Sequence, residues 1–157
     1  MVTERQRGRP VTQTRAGDAF GEFALTVIRL SGLLIAAGDA LAKPTGQTSA
    51  RWLVLAAVDE GQATVAQIGR QLGLTRQSVQ RVADLLADDG LVAYAENPAH
   101  RRAKLVKLTP HGKRTLKAIQ AAQTAWADDL GAKLGAGNLQ EANAVLGRAL
   151  ATLSQRR

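Results

Sequence analysis

The stretch that most constrains the fold of this chain runs from Val65 to Leu108, because three local periodicities follow one another in it without a break. Val65, Ile68 and Leu72 fall at i, i+3 and i+7, one face of a short helix. Gly73-Leu74 ends that helix, and Thr75 follows as a residue able to cap a second one, its hydroxyl accepting from a free N–H of the turn ahead. The second helix places Val79, Val82, Ala83 and Leu86 on one face and Arg76, Gln77, Gln80 and Arg81 on the other. Asp89-Gly90 stops it. Leu91 to Ala95 and Ala103 to Leu108 then alternate in the manner of half-buried strands, separated by the turn-forming loop Glu96-Asn97-Pro98-Ala99-His100-Arg101-Arg102.

Two short helices joined by a glycine-containing turn form a helix-turn-helix, whose second helix is sized for the major groove of double-stranded DNA. The outward residues suit that place, since arginine pairs bidentately with guanine and glutamine with adenine. The hairpin with its basic tip reads as a two-stranded wing.

Helix-turn-helix, wing and following cap, in this order and spacing, resemble the multiple antibiotic resistance regulator (MarR) family of winged-helix repressors. The resemblance is carried by LTRQSVQRVADLLADDGLV, by the wing ending HRRAKLVKLT, and by Thr109-Pro110-His111-Gly112, and it extends more loosely over most of residues 18–157. It implies a mainly α, winged helix-turn-helix protein with N- and C-terminal dimerisation helices, acting as a repressor. In the wing this chain departs from the family's common pattern, with Asn97 and His100 where many relatives have aspartates and Ala99 where some place a tip arginine. An aspartate that braces a loop arginine in those relatives is thus replaced by the uncharged acceptor Asn97.

Composition supports a polyanionic partner. The formal net charge is +8, and Arg101, Arg102, Lys104, Lys107, Lys113, Arg114 and Lys117 stand against Glu96 alone between positions 91 and 117, so much of the excess lies on and just beyond the wing. Apolar residues make up 45% of the chain but aromatics only 3%, which leaves Leu, Val, Ile and Ala to build a helical core. The absence of cysteine excludes disulfides and thiolate metal sites. Neither His100 nor His111 has a second ligand or a carboxylate at helical spacing, so neither an enzyme nor a cofactor or metal is expected. The N-terminus lacks the apolar core of a secretory signal. The apolar run Ala24–Ala37 is interrupted by Arg29 and reads as too short to span a bilayer, so the expected location is the cytoplasm.

Residues 1–17 show no period and read as a flexible basic arm. Within it Arg7-Gly8-Arg9-Pro10 looks like the core of an AT-hook for a narrow minor groove, although Gln6 stands where a second proline is usual; a solvated tail is the preferred reading. From Asp18 to Lys43-Pro44 the chain is too apolar all round for a surface helix. Thr109 and Pro110 open a helix reaching about Leu134, with Leu116, Ile119, Ala122 and Trp126 on one stripe; Gly135 to Asn138 breaks it, and a last amphipathic helix follows from Leu139. These helices have no sequence-local partner able to cover them, which points to a two-fold homodimer. The division expected is an arm over 1–17, a winged DNA-binding domain over 46–108, and a dimerisation region over 18–45 and 109–157.

The residues expected on DNA are Arg76, Gln77, Gln80 and Arg81 at base edges, Thr75 and Ser78 at phosphates, and Lys104 with one of Arg101 and Arg102 on the wing. Arg101 is assigned to the minor groove or its phosphates and Arg102 to bracing the loop, and the two assignments are exchangeable. The family resemblance also implies a small-molecule effector, often an aromatic acid, held between the dimer helices and the winged domain; Arg51, Trp52 and His111 are its candidate contacts, although a tryptophan so placed is more often simply core. The alternative function is an architectural protein that binds DNA with little sequence preference.

Overall fold

The structure is a computed structural model and describes residues 14–155; the Arg7–Pro10 motif lies outside them. Nine principal elements follow in the order α1 (Arg15–Ala42), α2 (Ser49–Asp59), β1 (Ala63–Thr64), α3 (Val65–Leu72), α4 (Arg76–Asp88), β2 (Val92–Ala95), β3 (Leu105–Leu108), α5 (Pro110–Leu134) and α6 (Ala136–Ser154), with one 3-10 turn at Lys43–Thr45. The fold is mostly helical with a small antiparallel sheet in the order β1-β3-β2, a winged helix-turn-helix. By its contacts the chain divides after Ala37 into two units.

In the second unit, α2, α3 and α4 pack around Leu55, Ile68, Val79, Ala83 and Leu86, all fully buried, and the sheet closes the core with Leu91, Val92 and Val106. Each buried Val, Leu or Ile contributes about 1.5–3 kcal/mol relative to exposure. The face of α4 that the period assigns to the core is the face buried, except that Val82 is only partly covered. Between α3 and α4, Gly73 takes a left-handed conformation (φ 67°) and lets the chain reverse without a Cβ clash. Thr75 then accepts from the Ser78 N–H at 3.1 Å and starts α4.

The wing is β2 and β3, in register with Val92 opposite Leu108 and Tyr94 opposite Val106. A third strand, β1, pairs with the other edge of β3 through Ala63 and Thr64. Two residues carry no readable alternation, so the sequence indicates only the two-stranded wing. Thr64 also closes a capping box with Gln67 at the start of α3.

Thr109 joins the wing to α5. Its hydroxyl donates to the Gly90 carbonyl at 2.7 Å and accepts from the Gly112 N–H at 3.0 Å, so one side chain both caps α5 and ties it to the turn after α4. Gly112 is buried there with its backbone so close to Leu91 that a Cβ would collide with the Leu91 carbonyl. Along α5, Leu116 and Ile119 are buried, Trp126 is partly covered, and Ala122 is exposed, so the buried stripe ends sooner than its spacing suggests.

α6 begins at Ala136, three residues before the sequence-based start. Asn138 donates its side-chain amide to the Leu134 carbonyl at 2.9 Å, spanning the break with a polar contact that composition alone would assign to a loop. No residue of α6 is buried, and Leu150 is 68% exposed.

α1 begins at Arg15, ahead of the expected Asp18, and continues as a helix through Arg29. Up to Ala37 it buries no residue, and Ile28 and Leu33 are 67% and 69% exposed. By length and composition it is long and apolar enough to cross a membrane. The helix is longer than the Ala24–Ala37 run, because helical hydrogen bonding does not stop at the charged residues that bound a purely apolar count. Its last turn, in the second unit, packs Gly38 on Ser49 and Trp52. There the Asp39 carboxylate accepts from the Ser49 N–H at 2.7 Å, a bond that holds the carboxyl below the usual carboxylate range.

Adding a Cβ at Gly112 should cost about 1–3 kcal/mol or more, since the obstacle is backbone. At Gly147 of α6, where nothing lies within 4 Å, alanine should instead stabilise by about 0.5–1 kcal/mol. Chemical denaturation of Gly112→Ala and Gly147→Ala measures both, and equal stability of the two variants would contradict the packing described.

Candidate nucleic-acid interface

Burial of one face of α4 turns the other outward. Arg76, Gln77 and Arg81 are exposed and Gln80 is partly covered, and together they line an open cleft of about 620 Å3 along the helix. A second groove, of about 510 Å3, runs between the start of α3, the Arg76 and Gln80 side of α4, and the wing residues Tyr94, His100, Arg102 and Lys104. The structure thus brings Arg76, Gln80, Arg102 and Lys104 to one groove. Arg101 is exposed on the wing tip and is not part of that groove's lining.

The loop has its own bracing. Asn97 accepts the Ala99 N–H on its side-chain oxygen at 3.0 Å, while the His100 N–H donates to the Asn97 carbonyl at 3.1 Å. These local bonds shape the turn. The bracing role expected for Arg102 therefore has no Asn97 contact behind it: the Asn97 acceptor is engaged by backbone, and Arg102 faces the groove instead.

At the start of α4 the two hydroxyls are differently placed. Ser78 donates its hydroxyl hydrogen to the Thr75 carbonyl at 2.9 Å, so that hydrogen is already used. Thr75 uses its oxygen as the cap acceptor, which leaves its own hydrogen for an anion.

Gln80 belongs to a network that sequence reading missed. Its amide nitrogen donates to the Asp84 carboxylate at 2.8 Å and to the Tyr94 hydroxyl at 2.8 Å, and Tyr94 donates to the same Asp84 oxygen at 2.6 Å. Three side chains from α4 and β2 are thereby closed into a ring. Hydrogen bonds from Tyr94 and then Gln80 hold the Asp84 carboxyl below its usual range. Burial first, then the hydrogen bond to Asp84 and its negative charge, push the Tyr94 phenol well above its ordinary value. The i,i+4 spacing of Gln80 and Asp84 was the one available signal; Tyr94 is fourteen residues from Gln80, beyond any helical period.

Of the residues considered for an effector, Arg51 pairs with Asp89 at 2.7 Å and also donates to Gln47 at 3.3 Å. This pair links α2 to the end of α4 and is worth about 0–1 kcal/mol at such exposure. Trp52 is half-buried against the hydrophobic core, and His111 is exposed in the first turn of α5. Neither of the two clefts is lined by any of the three.

Residues 45–103 match the family model described as MarR family. An uncharacterized protein of Mycobacterium tuberculosis is 43% identical over 102 residues, 65% of this chain and 71% of that protein. A MarR family transcriptional regulator from Streptomyces coelicolor is similar in structure with a TM-score of 0.75 at 25% identity, covering 87% of this chain and 96% of that one. This chain belongs to the MarR family. Its winged domain is accordingly a DNA-binding domain of a transcription regulator, a class of protein that is not enzymatic. The MarR fold is shared as well with the Staphylococcus aureus MarR in complex with salicylate and kanamycin, at a TM-score of 0.77 and 16% identity, over 88% of this chain and 95% of that one.

Tyr94 is the only tyrosine, so alkaline ultraviolet titration reads the ring directly. Its ionisation should lie well above the ordinary phenol value of about 10, and Asp84→Ala should bring it down. The sign for stability follows: the folded phenol is the harder to ionise, so its contribution is full below the unfolded phenol's pKa and is lost as pH rises through the folded one. An ordinary midpoint in the unaltered protein would show that the ring is open.

Proposed function

We propose that this chain is a homodimeric, sequence-specific transcription regulator of the cytoplasm that recognises a palindromic site in double-stranded DNA and acts as a repressor. The observation that carries the reading is the outward polar face of α4 with a cationic hairpin beside it. In this reading α4 enters the major groove, with Arg76, Gln77, Gln80 and Arg81 at base edges and Thr75 and Ser78 near phosphates. Arg101, Arg102 and Lys104 carry the wing onto the adjacent backbone or minor groove. Residues 46–108 form the DNA-binding domain.

The dimer is argued from apolar surface. Ile28, Leu33 and Leu34 of α1, and separately Val145, Leu150 and Leu153 of α6, are exposed in the single chain. Exposed apolar area of this extent calls for a partner. A second copy is a better cover than lipid, because α1 carries Asp18, Glu22, Arg29 and Asp39 along its length and charge within a bilayer is costly. Residues 18–45 and 109–157 then serve dimerisation, and two-fold symmetry sets the two α4 helices roughly 34 Å apart, one turn of DNA.

The salicylate in the staphylococcal structure supports an aromatic acid as the effector class here, with Arg51, Trp52 and His111 as contacts. Arg51 would exchange its Asp89 partner for the ligand carboxylate. Such an acid should release DNA, and the release should weaken in Arg51→Ala; titration of aromatic acids against DNA binding tests this, and no release by any would remove the effector from the account.

Selection of bound sequences from random DNA by the purified protein should recover an inverted repeat whose complexes survive excess random DNA. Binding abolished by that excess would indicate an architectural protein instead. Arg81→Ala should lose about 1–3 kcal/mol and relax preference at one position per half-site. Leu33→Glu should sediment as a monomer and bind weakly, whereas a monomeric unaltered protein at micromolar concentration would contradict the dimer.

A further inference from the structure

We propose that Tyr94 and Asp84 set the base specificity of Gln80 by occupying both hydrogens of its amide, so that only its carbonyl oxygen is presented to the major groove. The proposal rests on the reading of α4 as the recognition helix and goes beyond it by assigning a selectivity to one side chain and the means of setting it to two others.

An amide NH2 has two hydrogens. The Gln80 nitrogen lies 2.8 Å from an Asp84 carboxylate oxygen and 2.8 Å from the Tyr94 oxygen, so each acceptor can take one of the two hydrogens through a bent bond. The orientation of the amide is fixed by chemistry, since a carbonyl oxygen turned toward the Asp84 carboxylate would face an acceptor with an acceptor. Tyr94 cannot reverse its role, because its one hydrogen goes to Asp84 at 2.6 Å. Among the described residues no donor reaches the Gln80 oxygen, and no buried side-chain oxygen is left without a partner, so that oxygen is open to solvent. Gln80 lines both the cleft along α4 and the groove beside the wing, so its side chain stands on the side proposed to meet DNA.

A free glutamine reads adenine by two bonds, donating to N7 and accepting from the N6 amino group. With its hydrogens engaged, Gln80 keeps only the second. An acceptor alone is satisfied by any base that presents an amino group in the major groove, which means adenine or cytosine; guanine and thymine present acceptors there and are rejected. Gln80 therefore discriminates amino-bearing from keto-bearing bases and not adenine from cytosine. Because Tyr94 stands on the first strand of the wing, the ring also ties the hairpin to the side chain whose selectivity it sets.

The experiment is selection from random DNA with the full-length protein and its Gln80→Ala, Tyr94→Phe, Asp84→Ala and Arg81→Ala variants, with thermal melts to confirm folding. The unaltered protein should accept adenine and cytosine within a few-fold at the half-site position whose preference Gln80→Ala erases. Tyr94→Phe frees one amide hydrogen, and adenine should then exceed cytosine at that position by about fivefold, the low end of what a bidentate pair contributes. Asp84→Ala, at an exposed residue, should shift the preference the same way and keeps the test in force if Tyr94→Phe fails to fold. Selection of adenine alone by the unaltered protein, or an unchanged ranking in both variants, overturns the proposal. A consensus that responds to Arg81→Ala but at no position to Gln80→Ala overturns it while leaving the recognition-helix reading intact. A protein that recovers no consensus overturns both.

Discussion

Everything the interface does depends on one face of α4 being out of water. Val79, Ala83 and Leu86 are fully buried against α2, α3 and the sheet, and the apolar pair Val79 and Leu86 alone represents several kcal/mol of burial. Rotating the helix would expose them and bring Arg76, Gln77 and Arg81 inward, where an unpaired charge costs far more than any packing returns. The orientation of the polar face is thus a by-product of the core and needs no contact with DNA to maintain it.

The same core positions the wing. Val92 and Val106 are buried beneath the hairpin, so β2 and β3 cannot slip by one residue without turning those valines to solvent. That register brings Tyr94 within reach of Gln80 and Asp84. The ring they form links recognition helix and wing by short polar bonds, whereas the Arg51–Asp89 pair secures the far end of α4 more weakly. Along the helix the charges also segregate: Arg76 and Arg81 in its first half attract phosphate, while Asp84 and Asp88 in its second half, lining the same cleft, oppose any approach except the one in which the arginines lead. This is an electrostatic argument for a defined docking angle as well as for affinity.

Much of this was legible in the sequence because it is local. The 3.6 period identifies α3 and α4, Thr75 and Thr109 mark two helix starts, and the alternation of half-buried strands identifies β2 and β3. The winged helix-turn-helix and the family follow from those. Less legible was whatever depended on a distant partner or on very few residues. β1 has two residues and is defined only by pairing with β3. Gln80 was readable as a polar residue on an outward face, but its hydrogen-bond partner Tyr94 lies on another element, and Arg51 meets Asp89 across thirty-eight positions. Helix ends moved where polar side chains replaced lost backbone bonds, as Asn138 does. The start of α1 moved from Asp18 to Arg15, while its end before Lys43-Pro44 was legible.

The central claim, that paired α4 helices lie in successive major grooves with a wing beside each, is tested most directly by chemical footprinting of guanine N7 and of the sugar backbone on a bound duplex. The account predicts two N7-protected patches on one face of the duplex, one helical turn apart, each adjoined by a backbone segment shielded by a wing. Protection spread evenly along the DNA, or confined to the minor groove with the N7 positions fully reactive, would contradict it.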